Sequence, residues 1–218
     1  MLKAILFDLD ETLYLPETGM LAAGDRLITE YLSQVRGLPW EQADQMRLQL
    51  TEQYGTTAAG MEAQFGIPQA DFYADTVERV DPTVHLQPDP AIRQMLAAIP
   101  MPICILTNAT AAYTHAVLAA LDLTDHFEAV FTVESSGWRP KPAPEAYLPP
   151  LSHLELPANA VGMVEDNPAN LVPAQRLGMT TFLLRTHHPA AHHVLDDLLD
   201  LPDLLRKRGL CAESGSHQ

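Results

Sequence analysis

The stretch Ala4-Ile-Leu-Phe-Asp-Leu-Asp-Glu-Thr12 contains a short apolar run that ends directly in acidic residues. Residues 4–7 have the length and composition of a buried strand. A strand that is apolar without alternation is covered on both faces, as in a parallel sheet flanked by helices. Asp8 and Asp10 follow this strand, and the alternation of an extended backbone places both carboxylates on the same side. The stretch therefore predicts a parallel sheet flanked by helices, with an acidic site directly after its first strand.

Similar apolar runs recur along the chain, at 103–106, 129–133, 161–164 and 180–184. Segments of helical composition, rich in Ala and Leu, lie between or after them at 111–121, 144–151 and 167–177. This alternation of strands and helices predicts an α/β fold in which a doubly wound, Rossmann-like parallel sheet forms the core.

The connection between the first two strands is much longer than the others. It contains amphipathic helical segments at 25–35, 40–54 and 69–80, with Pro16 before them and a proline cluster from Pro82 to Pro90 after them. We therefore predict a small helical domain at 16–88, inserted after the first strand of a core that comprises 1–15 and 89–205. Residues 206–218 end in Ser-Gly-Ser-His-Gln and are predicted to form a flexible tail.

Net charge limits the classes of partner. The 218-residue chain has 28 Asp and Glu against 13 Lys and Arg, a formal net charge of −15. Such a chain repels nucleic acid backbones and anionic lipid, so we expect neither a nucleic acid polymer nor a membrane as partner. An anionic small molecule would need local positive charge from a metal ion or a lysine. Monomer and homodimer both stay open.

The cellular compartment is inferred from cysteine usage and from apolar run lengths. Cys104 lies in an apolar run and is interpreted as a buried thiol rather than half of a disulfide. The apolar stretch that ends at Asp8 is too short for a signal peptide, and no run has the roughly 18 apolar residues of a membrane span. These features predict a cytoplasmic protein.

Polar residues follow four of the predicted strands, at the edge where open α/β sheets bind ligands. They are Asp8, Asp10 and Thr12 after the first strand, Thr107 and Asn108 after the second, Lys141 after the third, and Glu165 and Asp166 after the fourth. Clustered carboxylates without His or Cys suit Mg²⁺. With Lys141, this ion would supply the positive charge that a phosphoryl group needs. Asn108 could also simply cap the helix that follows it.

These motifs, in this order, resemble those of the haloacid dehalogenase-like hydrolases, and the resemblance covers essentially the whole chain. The matching motifs are Asp8-x-Asp10-x-Thr12, Thr107, Lys141 and Glu165-Asp166. The helical insert resembles the small cap domain of that family. Within the family, segments 7–14, 54–61 and 165–170 look most like the pyrimidine 5'-nucleotidase-like subgroup.

The resemblance implies a Mg²⁺-dependent hydrolase of small organic phosphate monoesters, with nucleoside 5'-monophosphates among the candidates. Asp8 would be the nucleophile that forms an aspartyl-phosphate. Asp10, oriented by Thr12, would be the general acid and then the general base. Alternatives are a phosphomutase or sugar-phosphate phosphatase on the same fold, or a non-catalytic, receiver-like phosphate-binding module. A dehalogenase is disfavoured because it needs neither an acid at Asp10 nor a metal.

The resemblance also implies roles for the remaining motif residues. Thr107 and the backbone N–H of Asn108 would hold phosphoryl oxygens, while Lys141 would neutralise charge and pair with Asp8. The implied metal ligands are Asp8, the backbone carbonyl of Asp10, Asp166 and Glu165, the last directly or through water. Asn170 stands where many relatives carry an acid, so either metal support or a structural role is open.

Two further groups of residues are candidates for binding. Tyr54, Thr56 and Thr57 combine hydroxyls with a neighbouring glycine in the predicted cap, so we expect them to select the substrate. The histidine pairs 187–188 and 192–193 have spacings that could share a helix face and bind a transition metal. Pro189 between them and the lack of a nearby Cys argue against that interpretation.

Overall fold

The protein was analysed as a computed structural model that describes residues 1–211, in which six strands form one parallel sheet. The strands are β1 (Ala4–Phe7), β2 (Ile103–Leu106), β3 (Ala129–Phe131), β4 (Val161–Glu165), β5 (Thr180–Leu184) and β6 (His193–Leu195). Their spatial order is β3-β2-β1-β4-β5-β6. The predicted doubly wound sheet is thus confirmed, and the winding changes direction beside β1.

Helices cover both faces of the sheet and fill the long connection after β1. They are α1 (Met20–Arg36), α2 (Trp40–Tyr54), α3 (Thr57–Phe65), α4 (Gln69–Asp75), α5 (Pro90–Ala97), α6 (Ala111–Ala120), α7 (Leu148–Leu154), α8 (Pro168–Leu177) and α9 (Leu201–Lys207). The first four form the helical cap, which confirms that a helical insert follows the first strand. Its exact boundaries at 16 and 88 stay a prediction. None of the helices within residues 1–211 is both long and apolar enough to cross a lipid bilayer.

Side chains of β1 enter two separate hydrophobic clusters. Ile5 and Phe7 pack in the cluster on one side of the sheet, while Leu6 packs in the cluster on the other side. All three are fully buried. Because both faces of β1 are covered, the strand is apolar at every position. A third cluster, centred on Leu32 and Phe72, lies in the cap.

The sequence did not indicate α3, because Gly55 and Thr56 resemble a loop. Gly55 has φ +87° and ends α2, and the Thr56 hydroxyl then accepts a hydrogen bond from the N–H of Ala59 at 3.1 Å, which caps α3. The two helices approach closely at Gly60, where a Cβ atom would lie 2.8 Å from Cβ of Leu50.

The ends of some elements differ from prediction. The third strand stops at Phe131, and a 3₁₀ turn begins at Val133. The tail predicted from residue 206 has defined structure as far as residue 211, while its flexibility stays a prediction. Helix α9 continues to Lys207, the N–H of Leu2 donates to the carbonyl of Leu210 at 2.8 Å, and Cys211 is buried. Apolar packing against the core therefore holds this segment, and the rest of the predicted tail, 212–218, lies outside the described residues.

Candidate active site

Lys141 lies at the centre of the site and is 1% exposed. Its Nζ donates to Oδ1 of Asp8 at 2.6 Å, to Oε2 of Glu165 at 3.0 Å and to the carbonyl oxygen of Leu106 at 2.8 Å. An ammonium group has three protons, so all of them are used and the side chain is fixed in place. Burial acts to lower the pKa of Lys141, but the charges of Asp8 and Glu165 outweigh it and raise the pKa above its ordinary value.

Asn108 fixes the backbone that carries this lysine. Its Nδ2 donates to the carbonyl of Lys141 at 2.9 Å, and its Oδ1 accepts from the N–H of Lys141 at 2.6 Å. The alternative role of Asn108 as a helix cap is wrong, because Thr110 caps α6. Thr107 is buried beside it and its hydroxyl accepts from the N–H of Ala109 at 3.1 Å. The proposed phosphate contacts of both residues stay predictions.

Two tyrosines hold the second acid of the first motif. The hydroxyls of Tyr14 and Tyr113 both donate to Oδ1 of Asp10, the latter at 2.9 Å. Burial and then the charge of Asp8 raise the pKa of Asp10 to about 6. A carboxyl group with such a pKa can exchange a proton near neutral pH.

Thr12 does not have the predicted contact with Asp10. Its hydroxyl lies 3.4 Å from Oδ2 of Asp8 and 3.4 Å from Oδ1 of Asp166, so it bridges two acids of different motifs. Sequence reasoning missed the roles of both tyrosines. Tyr14 was visible four residues after Asp10, but Tyr113 comes from α6 and carries no local signal.

Asp8, Glu165 and Asp166 each offer one carboxylate oxygen, and these atoms lie within 4.8 Å of one another. Burial, followed by the charge of Asp8, raises the pKa of Glu165 and raises that of Asp166 to about 6. The carboxylates therefore repel one another, although one lysine lies among them. An all-oxygen donor set with excess negative charge fits a hard divalent cation such as Mg²⁺.

Asn170 supports this cluster. Its side-chain amide donates to Oε1 of Glu165, and the hydroxyl of Tyr147 donates to the carbonyl of Asn170. Glu165 is thus held between Lys141 and Asn170, and both roles considered for Asn170, metal support and structure, stay open.

A cavity of about 270 Å³ lies over this edge of the sheet, between the core and the cap. Its lining includes one lysine, Lys141, and six carboxyl side chains: Asp8, Asp10, Glu11, Asp25, Glu165 and Asp166.

Thr56 and Thr57 line the cavity as well, although the Thr57 hydroxyl lies 2.9 Å from that of Thr51. Tyr54 lines a neighbouring groove instead, and its hydroxyl accepts from Gln64. Gly55 lies where a Cβ atom would be 3.0 Å from the carbonyl oxygen of Lys141, so cap and core touch there.

The histidines near the C-terminus have structural contacts. His192 Nδ1 accepts from the N–H of Thr181 at 3.1 Å, His188 Nδ1 accepts from the N–H of Ala190 at 3.1 Å, and His193 stacks on Phe182. They do not share a helix, because His193 begins β6. Within residues 1–211, the group that could hold a metal is the acidic cluster alone.

A family model and several solved structures match most of the chain. The family model of the haloacid dehalogenase-like hydrolases matches residues 2–178. The structure of L-2-haloacid dehalogenase from Xanthobacter autotrophicus with chloropropionic acid covalently bound is similar, at 22% identity and a TM-score of 0.62, over 94% of this chain and 99% of that one. A phosphatase of the same family from Thermococcus onnurineus has 19% identity and a TM-score of 0.67, over 94% and 98%. CbbY from Rhodobacter sphaeroides in complex with xylulose-(1,5)bisphosphate has 18% identity and a TM-score of 0.69, over 92% and 96%. These structures share the fold, whereas their chemistry differs.

Proposed function

The chain belongs to the haloacid dehalogenase-like hydrolases, and on this premise we propose that it is a Mg²⁺-dependent phosphatase of small phosphate monoesters. The observation that carries the proposal is Asp10, an acid beside Asp8 that Tyr14 and Tyr113 hold in place. An alkoxide leaving group needs a proton, whereas a halide does not. A held acid with a raised pKa therefore favours ester hydrolysis over dehalogenation.

Asp8 is the nucleophile in this proposal. Lys141 binds its Oδ1 and Thr12 lies near its Oδ2, so the carboxylate keeps one orientation toward the cavity. An oxygen of Asp8 attacks phosphorus, and the bond between phosphorus and the leaving oxygen breaks as an aspartyl-phosphate forms.

Asp10 moves the protons. In the first step its protonated carboxyl gives a proton to the leaving alkoxide. In the second step the resulting carboxylate takes a proton from a water molecule that attacks the aspartyl-phosphate, which releases inorganic phosphate and restores Asp8. We assign these transfers to Oδ2, because both tyrosines bind Oδ1.

The donor set supports a bound Mg²⁺. Asp8 and Asp166 would hold the ion, with Glu165 directly or through water, and the family resemblance implies the backbone carbonyl of Asp10 as a further ligand. The ion would supply positive charge to the phosphoryl oxygens, which the acidic cavity otherwise repels. Lys141 cannot supply that charge alone, because its three protons already bind Asp8, Glu165 and the carbonyl of Leu106.

The size of the cavity supports a small substrate. Its volume of about 270 Å³ is below the range of about 300–1,000 Å³ that is usual for drug-sized ligands. Sugar phosphates and other short-chain monophosphates are therefore candidates, and nucleoside 5'-monophosphates stay candidates because a larger neighbouring groove shares Thr51, Gly55, Asn167 and Asn170 with the cavity.

The proposal is tested by measuring released phosphate from p-nitrophenyl phosphate, a sugar phosphate and a nucleoside 5'-monophosphate, with Mg²⁺ and with EDTA. Chloride release from 2-chloropropionate is measured in parallel. We expect Mg²⁺-dependent phosphate release and no chloride release. Chloride release without phosphate release would contradict the proposal, as would phosphate release that persists in the Asp8→Asn variant.

A further inference from the structure

The part of the cavity wall that the cap contributes carries one charged side chain, Asp25 on α1. The rest of the cap wall is uncharged and consists of glycine, apolar and hydroxyl-bearing residues, among them Leu21, Ile28, Thr56, Phe72 and Tyr73. Within residues 1–211 no arginine or histidine lines the cavity, and its one lysine is engaged with the core acids. A leaving group that extends toward the cap therefore meets a carboxylate.

Arg47 offsets only part of the charge of Asp25. Its Nη1 lies 2.9 Å from Oδ2 of Asp25, and its Nη2 lies 2.9 Å from Oδ1 of Asp44. Two carboxylates share one guanidinium, so the three groups together carry one net negative charge. Arg47 and Asp44 do not line the cavity, whereas Asp25 does.

Glu11 brings a second carboxyl to the same region. It follows Asp10 with φ 54°, and its carbonyl accepts a hydrogen bond from Arg185 on the core side. Glu11 and Asp25 both line the cavity, so a molecule bound there meets both carboxyl groups.

We infer that Asp25 is a specificity-determining residue that excludes leaving groups with a negative charge, so that the substrates are monophosphates of neutral or cationic alcohols. This inference rests on the proposed phosphatase function. A carboxylate or second phosphate on the leaving group would be repelled by Asp25, with no cation on the cap wall to receive it. Hydroxyl or ammonium groups would instead donate hydrogen bonds to Asp25.

The test compares three substrates of similar size: glycerol 3-phosphate, 3-phosphoglycerate and ethanolamine phosphate, whose leaving groups are neutral, anionic and cationic. The wild-type enzyme should prefer the neutral and cationic compounds. In Asp25→Asn, we expect the ratio of kcat/KM for 3-phosphoglycerate to that for glycerol 3-phosphate to rise at least about tenfold, which corresponds to about 1.4 kcal/mol.

Glu30→Gln is the matched control, because Glu30 is an exposed carboxylate on the same helix α1 that neither lines the cavity nor pairs with Arg47. We expect it to change the ratio less than about threefold, since its charge acts at longer range. An unchanged ratio in Asp25→Asn, or an equal rise in both variants, would overturn the inference.

A binding measurement separates this inference from the proposed function. Dissociation constants for glycerol 3-phosphate and 3-phosphoglycerate are measured by calorimetry with Mg²⁺ in the Asp8→Asn background, with and without Asp25→Asn. If wild-type protein hydrolyses no phosphate ester, the phosphatase proposal fails, but a tenfold shift in the ratio of these constants still supports Asp25 as the selecting residue. Failure to bind either compound, or binding with an unchanged ratio, overturns the inference.

Discussion

Removal of the Tyr113 hydroxyl should affect substrates according to their leaving groups. Tyr113 donates to Oδ1 of Asp10 at 2.9 Å, and Tyr14 donates to the same oxygen. A hydrogen bond to a charged group contributes about 1.5–3 kcal/mol. Loss of one of the two bonds in Tyr113→Phe should therefore misplace the acid and reduce turnover about 10- to 100-fold where protonation of the leaving group limits the rate.

The assay compares kcat/KM for glycerol 3-phosphate and for p-nitrophenyl phosphate. The nitrophenolate ion leaves without protonation, so kcat/KM for p-nitrophenyl phosphate, which reports the phosphorylation step alone, should fall less than about threefold in Tyr113→Phe. Tyr147→Phe is the control, because it removes another buried tyrosine hydroxyl that binds Asn170 rather than Asp10. Its effect should be the same on both substrates. Equal losses for both substrates in Tyr113→Phe would refute the role of Asp10 as a general acid.

Three further outcomes are expected. Asp8→Asn should reduce turnover at least about 10³-fold and form no phosphoenzyme. Asp10→Asn should reduce turnover about 10²–10⁴-fold and accumulate phosphoenzyme from p-nitrophenyl phosphate, as detected by mass spectrometry. Near-normal turnover in Asp8→Asn would show that another residue is the nucleophile. Excess EDTA should abolish activity, Mg²⁺ should restore it and Ca²⁺ should restore little of it, since Ca²⁺ accepts looser coordination; full activity in EDTA would contradict the metal site. Gly60→Ala should lower the free energy of unfolding by about 1–3 kcal/mol in urea titrations, because its Cβ would lie 2.8 Å from Cβ of Leu50. The control Ala63→Ser, on the exposed side of α3, should change this free energy little. An unchanged urea midpoint in Gly60→Ala would show that α2 and α3 are not closely packed.

Much of the fold could be predicted because strands that are buried on both faces are apolar at every position. The four strands β1, β2, β4 and β5 are buried on both faces, so their apolar runs stand out from the rest of the sequence. The edge strand β6 contains His193 and has two half-buried residues, and no apolar run marked it. Helix α3 was hidden for a different reason, since its capping residue Thr56 follows a glycine and resembles a turn.

The acids and the lysine of the candidate site could be located from sequence, because each follows a strand of the sheet. Their supporting contacts could not. Asn108 binds the backbone of Lys141, which is 33 residues away in the chain, and Tyr113 reaches Asp10 over 103 residues. Such pairs depend on the distances between loops after folding, and no local pattern encodes them.

The burial of Lys141 has a practical consequence for chemical modification. The chain has three lysines, and Lys3 and Lys207 are exposed while Lys141 is 1% exposed. Amine-reactive reagents are attacked by the neutral amine, whereas the neighbouring acids keep Lys141 protonated and its burial keeps it from solvent. Dyes or solid supports coupled through lysine should therefore attach at Lys3 and Lys207, neither of which lines the cavity. The protein can thus be labelled or immobilised by its most common reactive groups without blocking the site.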